Sequence, residues 1–118
     1  MAMTPAQALK LWHDVALSRV LADGPDLSER QIAILLSIYL DPPPHTVRGL
    51  AARLNVTKPV ITRALDTMGA EGLVTRKRDP ADRRNVIIQR TVKGALFVDE
   101  LADLILEKSA PARAGAPS

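Results

Sequence analysis

The fold is decided by residues 46–93, whose sequence is TVRGLAARLNVTKPVITRALDTMGAEGLVTRKRDPADRRNVIIQRTVK. Apolar residues recur at helical spacing in its first half, interrupted by the short turn Asn55-Val56. Strand-like segments over 73–78 and 86–91 follow, separated by a loop over 79–85 that is rich in turn-forming residues. A helix, a tight turn, a second helix and a hairpin are the element order of a winged helix-turn-helix. The sequence therefore predicts a mainly α fold with a small β-wing, about five helices and a two- or three-stranded antiparallel sheet.

The two helices of this stretch each have a start signal and an apolar face. Thr46 is a suitable N-cap for a helix over 47–54 and Thr57 for a helix over 57–71, where Pro59 is tolerated in the first turn. Asn55 tolerates the left-handed backbone of a tight turn. The predicted inward faces are Leu50, Ala51 and Leu54, then Ile61, Ala64, Leu65 and Met68. The outer face of the second helix carries Lys58, Thr62, Arg63, Asp66 and Thr67.

Three further helices flank this stretch. Apolar spacing predicts one over 4–22 and another that begins at Ser28, which forms a capping-box pattern with Gln31. Thr91 is a suitable cap for a last helix that runs to about Lys108. Residues 110–118 are nearly all Ala, Pro, Gly and Ser, which predicts a disordered tail. We therefore expect a single domain over 1–109, with a lobe over 28–91 between terminal helices over 4–22 and 92–109.

Positive charge is concentrated in the same stretch. Between Arg48 and Lys93 there are eleven Lys and Arg residues against four acids, a local charge of +7. Because the whole chain carries only +3, the remainder must carry −4. Basic charge gathered on one motif is the pattern expected of a surface that contacts a phosphate backbone.

The composition excludes several classes of protein. The chain has no cysteine, which rules out disulfides, thiol redox sensing and Cys-based zinc sites. One Trp, one Tyr and one Phe are too few for single-strand binding by ring stacking. His13 and His45 are far apart, so we expect no metal, and the absence of a catalytic or cofactor-binding motif predicts neither an enzyme nor a cofactor. Without a long apolar run or a signal-peptide pattern, a cytoplasmic protein without membrane contact is expected.

Three segments resemble the MarR family of bacterial transcription regulators. They are VRGLAARLNV over 47–56, ITRALD over 61–66, and GLVTR over 72–76 with DPADRR over 79–84. The resemblance extends from Leu27 to Gly94, and the wing pattern Asp-Pro-x-Asp-x-Arg is its most specific part. The chain differs from the family pattern at Arg90, where the family normally has a leucine.

The resemblance implies a homodimer whose terminal helices interlock and whose two recognition helices enter successive major grooves. It implies a repressor that releases DNA when a small aromatic effector binds. It also implies that Asp66 pairs with Arg84 and so fixes the angle of the wing. The expected function is sequence-specific binding of double-stranded DNA by a homodimeric repressor, which reads a pseudo-palindrome with the 57–71 helix and the 79–85 wing.

Candidate contact residues follow from this arrangement. Base edges are expected to be read by the N-terminal half of the 57–71 helix, through Thr57, Lys58, Pro59, Thr62 and Arg63. Arg63 is suited to a bidentate pair with guanine. Wing and backbone contacts are expected from Arg48, Arg76, Arg78, Arg83 and Arg84, with Arg83 facing the DNA.

Two other functions stay open from the sequence. In one, the winged helix or the apolar terminal helices bind another protein, and DNA binding is weak or lost. In the other, the chain is a ligand sensor in which Trp12, His13 and Tyr39 line an effector cleft. Core packing is the favoured role of Trp12 and Tyr39.

Overall fold

The structure, a computed structural model, describes residues 2–114 and the side chains of residues 2–110. The helices are α1 (Pro5–Leu21), α2 (Glu29–Leu40), α3 (Val47–Leu54), α4 (Lys58–Ala70) and α5 (Val92–Ala114), and the strands are β1 (His45–Thr46), β2 (Val74–Arg78) and β3 (Val86–Arg90). The described residues divide into two compact units, one formed by residues 27–98 and one by the described residues before and after them. The predicted fold class is confirmed for the described residues.

Helix α1 begins with a capping box and leaves most of its apolar side chains exposed. The Thr4 hydroxyl accepts from the Gln7 N–H, and the Gln7 side chain accepts from the Thr4 N–H. Among the residues of α1, Val15 alone is buried. Trp12 is 58% exposed, so the core role predicted for it is wrong for the isolated chain.

Helix α5 is longer than the sequence predicted. The predicted end of the helix near Lys108 is wrong. Residues 110–114, which were expected to belong to a disordered tail, continue the helix. Alanine is the best helix former, so Ala110, Ala112 and Ala114 favour this continuation even beside Pro111. Residues 115–118, the rest of the predicted tail, lie outside the described residues. No helix within residues 2–114 is both long and apolar enough to cross a membrane.

The core of residues 27–98 is built around α2. Ile34, Leu35 and Ile38 of this helix have no exposed surface. They belong to one hydrophobic cluster whose other buried members are Leu27, Leu50, Ala51, Ile61, Ala64, Leu65, Met68, Leu73, Val74 and Ile88. Burial of each large side chain contributes roughly 1.5–3 kcal/mol, so the cluster fixes the rotation of α3 and α4 about their own axes. The predicted inward faces of both helices are confirmed, with Leu54 partly buried.

The turn between α3 and α4 has the geometry predicted from Asn55, but Thr57 does not cap as expected. Asn55 adopts a left-handed backbone with φ of 55°. Thr57 occupies the N-cap position, yet its side chain makes no capping hydrogen bond. An N-cap side chain bonds the N–H of the second or third helical residue. Here the second is Pro59, which has no N–H, and the N–H of Val60 donates to the Thr57 carbonyl instead.

The wing is part of a three-stranded antiparallel sheet with the order β1-β3-β2. In the hairpin, Val74 pairs with Arg90 and Arg78 pairs with Val86. The third strand, β1, is two residues long and pairs His45 with Ile88. Two residues are too few to produce a periodic pattern, so the sequence did not locate this strand.

A network of hydrogen bonds centred on the Tyr39 hydroxyl joins α2 to the sheet and to the start of α5. The Tyr39 hydroxyl donates to the Leu73 carbonyl at 2.7 Å and accepts from the Thr91 N–H at 3.0 Å. The Thr91 hydroxyl donates to the Gly72 carbonyl and accepts from the Gly94 N–H, as an N-cap of α5. We call Tyr39, Leu73, Thr91 and Gly94 the Tyr39 joint. The Tyr39 hydroxyl and the Leu73 carbonyl lie so close to the backbone of residue 94 that only glycine fits there, because a Cβ would overlap both groups.

The Gly94→Ala variant should therefore be destabilised by about 1–3 kcal/mol or more, since overpacking of backbone cannot be relieved by a side-chain rotation. The midpoint of urea unfolding, measured at one protein concentration, reports the loss. Gly69→Ala in α4 is the matched control, because its added methyl would meet nothing nearer than 3.9 Å. The control should be unchanged or stabilised by up to about 1 kcal/mol, as expected for Gly to Ala in a helix. Equal unfolding midpoints for wild type and Gly94→Ala would contradict the close packing of the joint.

Candidate nucleic-acid interface

The outer face of α4 is polar and exposed along its first three turns. Ile61, Ala64, Leu65 and Met68 are buried on the inner face. Lys58, Thr62, Arg63, Asp66 and Thr67 are all exposed on the other side of the helix, as the sequence predicted. Pro59, in the first turn, is exposed as well. Because the core fixes the inner face, the outer face presents these side chains in a defined orientation.

One flank of α4 borders a recess of about 170 Å³ that it shares with α3 and the wing. We call it the wing recess, and its lining residues are Val47, Arg48, Lys58, Thr62, Arg84, Asn85 and Val86. Three of these side chains are cationic and come from three separate elements. The sequence assigned Arg48, Lys58 and Arg84 to DNA contact, and the structure brings them together around one small cavity. Such a cavity suits an anionic group.

Arg84 is also paired within its own loop. Its Nε lies 3.2 Å from Oδ1 of Asp82, and its backbone N–H donates to the same oxygen. These two hydrogen bonds lower the pKa of the Asp82 carboxyl below its usual range, and the charge of Arg48 lowers it further. Asp82 therefore stays ionised and holds Arg84 at the edge of the wing recess.

The opposite flank of α4 borders a second recess, of about 220 Å³, against the start of α2. We call it the α2 recess, and its lining residues are Ser28, Arg30, Gln31, Val60, Arg63, Ala64 and Thr67. Arg30 and Arg63 are exposed, and neither forms an ion pair with any residue whose side chain the structure describes.

Sequence reasoning did not identify Arg30, because it lies more than thirty residues before Arg63 in a different helix. One signal was present. Arg30 stands in the first turn of α2, where the helix dipole disfavours a positive charge. A cation placed there against the dipole indicates a role other than helix stability.

The predicted ion pair between Asp66 and Arg84 is wrong. Asp66 pairs instead with Arg76, whose Nη2 lies 2.8 Å from Oδ1 of Asp66. Arg76 lies on β2, the strand that packs next to α4. Arg84 pairs with Asp82 because the two residues lie only two positions apart in a tight loop, so their pairing costs little conformational entropy. An ion pair between α4 and the wing therefore exists, but the wing residue that forms it lies on strand β2 and not at the tip of the loop.

The two remaining wing arginines, Arg78 and Arg83, differ in whether their side chains bond other residues of the wing. The Arg78 side chain donates to the Arg83 carbonyl at 2.9 Å and so supports the loop from within. The Arg83 side chain is exposed and bonds no side chain or backbone group among residues 2–110. Of the two tip arginines, Arg83 is thus the one that is available to a partner.

A larger cavity, of about 410 Å³, lies between the end of α2, β1 and α3. No residue of α4 or of the wing loop lines it, and its arginine, Arg53, is already paired with Asp41 at 3.1 Å. The Tyr39 side chain, which the sequence considered for an effector cleft, has its hydroxyl committed to the Tyr39 joint. The cationic recesses beside α4 are therefore the candidate functional surface.

The chain is similar to known transcription regulators. The repressor YetL of Bacillus subtilis is 37% identical over 79 residues, which cover 65% of this chain and 47% of YetL. The organic hydroperoxide resistance transcriptional regulator of the same organism is 36% identical over 59 residues, covering 50% of this chain and 40% of that protein. The chain thus spans less than half the length of either relative.

The fold also matches solved structures. The transcriptional repressor CouR, solved in complex with a 23-mer DNA duplex, superposes with a TM-score of 0.67 at 25% identity, covering 87% of this chain and 67% of CouR. The model of the MarR family matches residues 27–86, which are half of the chain and most of the unit that carries α4 and the wing. This protein therefore belongs to the MarR family.

Proposed function

We propose that the protein is a transcriptional regulator that binds double-stranded DNA sequence-specifically, with α4 in the major groove. The observation that carries the proposal is the exposed polar face of α4 between two cationic recesses, on a segment with a local charge of +7. Thr57, Lys58, Pro59 and Thr62 lie at the start of α4, the part of such a helix that usually reaches base edges. The names of YetL and CouR support a repressor.

The wing supplies contacts to the backbone. Arg83 at its tip is free to reach a phosphate or the minor groove. Arg48 offers positive charge at the wing recess, which Arg84 also lines while it is paired with Asp82. Arg76 and Arg78 act inside the wing, the first through Asp66 and the second through the loop carbonyl. Contacts of this kind give affinity and register and do not depend on the base sequence.

The terminal helices support a homodimer. Exposed large apolar side chains along α1 are Leu9, Trp12, Leu17, Val20 and Leu21, and those along α5 are Val92, Leu96, Ile105 and Leu106. Apolar exposure on this scale is typical of a surface that a partner covers. A two-fold dimer predicts a pseudo-palindromic site with half-sites about one helical turn apart.

Sequence-specific binding is tested by selecting duplexes from a random pool and measuring their affinity by fluorescence anisotropy at physiological salt. A selected duplex should bind at least ~10³-fold more tightly than a scrambled duplex of equal composition. Equal affinities would show that the charge attracts DNA but that α4 reads no sequence.

The Asp66–Arg76 ion pair can be tested because two accounts of Asp66 predict opposite changes in DNA affinity when its charge is removed. Loss of an acid from a DNA-binding surface should by charge alone strengthen binding. If Asp66 instead holds the wing through Arg76, Asp66→Asn should weaken binding to a selected duplex by roughly three- to tenfold, or about 1 kcal/mol. Its free energy of unfolding should change by less than about 1 kcal/mol, because the pair is exposed.

Glu71→Gln is the control for that variant, since Glu71 is an exposed acid at the end of the same helix and forms no ion pair within residues 2–110. The control should bind equally well or more tightly. Tighter binding by both variants would refute the positioning role of Asp66.

Dimerisation can be followed through Trp12, the sole tryptophan. Because Trp12 is 58% exposed in the isolated chain, its fluorescence emission should shift to shorter wavelength as rising protein concentration forms the dimer. Val20→Lys on α1 should abolish the shift and reduce the mass measured by light scattering to that of one chain. Gln89→Lys, which adds the same charge at an exposed position of β3, should behave as wild type. A concentration-independent monomer mass for the wild type would refute the dimer.

A further inference from the structure

The two recesses lie on opposite flanks of α4. Lys58 and Thr62 line the wing recess, whereas Val60, Arg63 and Thr67 line the α2 recess. An α-helix with its side chains is about 10–12 Å across, and the major groove of B-DNA is about 12 Å wide. A helix that lies in this groove therefore brings its two flanks towards the phosphates of the two different strands.

The α2 recess has the features expected of a phosphate contact. Two guanidinium groups, from Arg30 and Arg63, border a cavity of about 220 Å³ that also has the hydroxyl groups of Ser28 and Thr67 in its lining. Arginine presents a planar set of donors that matches phosphate oxygens in pairs. Among the described residues no carboxylate neutralises either arginine, so both charges remain available to an anion.

The position of Arg30 strengthens this assignment. A charge of this sign in the first turn of α2 opposes the helix dipole and so does not serve the stability of the helix. Arg30 is also exposed, so it has no packing role in the core. Arg63 of α4 lines the same cavity as Arg30. Two like charges that share a recess repel each other unless an anion lies between them.

We propose that the α2 recess binds one backbone phosphate of the DNA, held between Arg30 and Arg63, on the strand opposite to the one that borders the wing recess. Arg63 then contacts a phosphate and does not read guanine, which was its predicted role from the sequence. Sequence readout rests on the residues nearer the start of α4. The inference depends on the proposed function, because it specifies how the same surface holds DNA.

The test compares Arg30→Gln and Arg63→Gln with wild type on selected and scrambled duplexes over a range of salt concentrations. Each variant should weaken binding to every duplex by a similar factor, roughly three- to tenfold, and lower the slope of log K against log salt by about 1. The double variant should lose less than the product of the two single losses, because both arginines hold one phosphate. Circular dichroism melting should be unchanged, as both side chains are exposed.

Arg53→Gln is the matched control for charge. It also removes one arginine from the same unit, but Arg53 is already paired with Asp41 and lines neither recess. Its affinity should change by no more than about twofold, because a distant exposed charge is screened by salt.

A second measurement uses the wild-type protein and changes the DNA. Selected duplexes are made with a neutral methylphosphonate at one backbone position at a time. One position in each half-site should weaken binding of wild type but not of Arg30→Gln, and these two positions identify the phosphates that the α2 recesses of the two protomers hold.

Unchanged binding by Arg30→Gln would overturn the phosphate site and leave the proposed function standing. Relaxed specificity of Arg63→Gln at a single guanine position would do the same, since Arg63 would then read a base. A wild-type protein that binds no duplex would overturn the proposed function itself.

Discussion

The burial of one face of α4 is the constraint on which the rest of the surface depends. Ile61, Leu65 and Met68 have no exposed surface, so the helix cannot rotate without exposing them to water. The opposite face is then fixed as the polar one, and its two flanks meet α2 on one side and the wing on the other. Asp66 on the same helix binds Arg76 of β2, so the wing is positioned relative to α4 by a direct contact.

The Tyr39 joint extends this constraint to the sheet and to the start of α5. Arg90, at the position where the family normally has a leucine, donates to the carbonyls of Ile38 and Asp41 at the end of α2 and lies over the Tyr39 ring at 5.8 Å from its centroid. These hydrogen bonds provide donors for two carbonyls that have no partner within the helix. Hydrogen bonds and a cation–π contact thus replace the apolar packing expected at this position, and they hold β3 against α2.

Local signals in the sequence were enough to predict the elements and their faces. Helical spacing gave the buried residues of α3 and α4, Asn55 marked the left-handed turn, and turn-forming residues located the loop of the wing. Contacts between distant residues were not predictable in this way. The packing of elements decides three features that no spacing in the sequence encodes. They are the partner of Asp66, the two-residue strand β1, and the cavity that Arg30 and Arg63 both line. The capping role of Thr57 failed for a local reason, since Pro59 removes the N–H that it would have bound.

The central claim, that α4 reads DNA from the major groove, is tested most directly by methylation interference. Dimethyl sulfate methylates guanine at N7, an atom that lies in the major groove. On a selected duplex, methylation should block binding at two clusters of guanines whose centres are about one helical turn, or 10 base pairs, apart. Binding that is unaffected by methylation at every guanine would contradict the account, because the protein would then hold DNA without placing α4 in the groove.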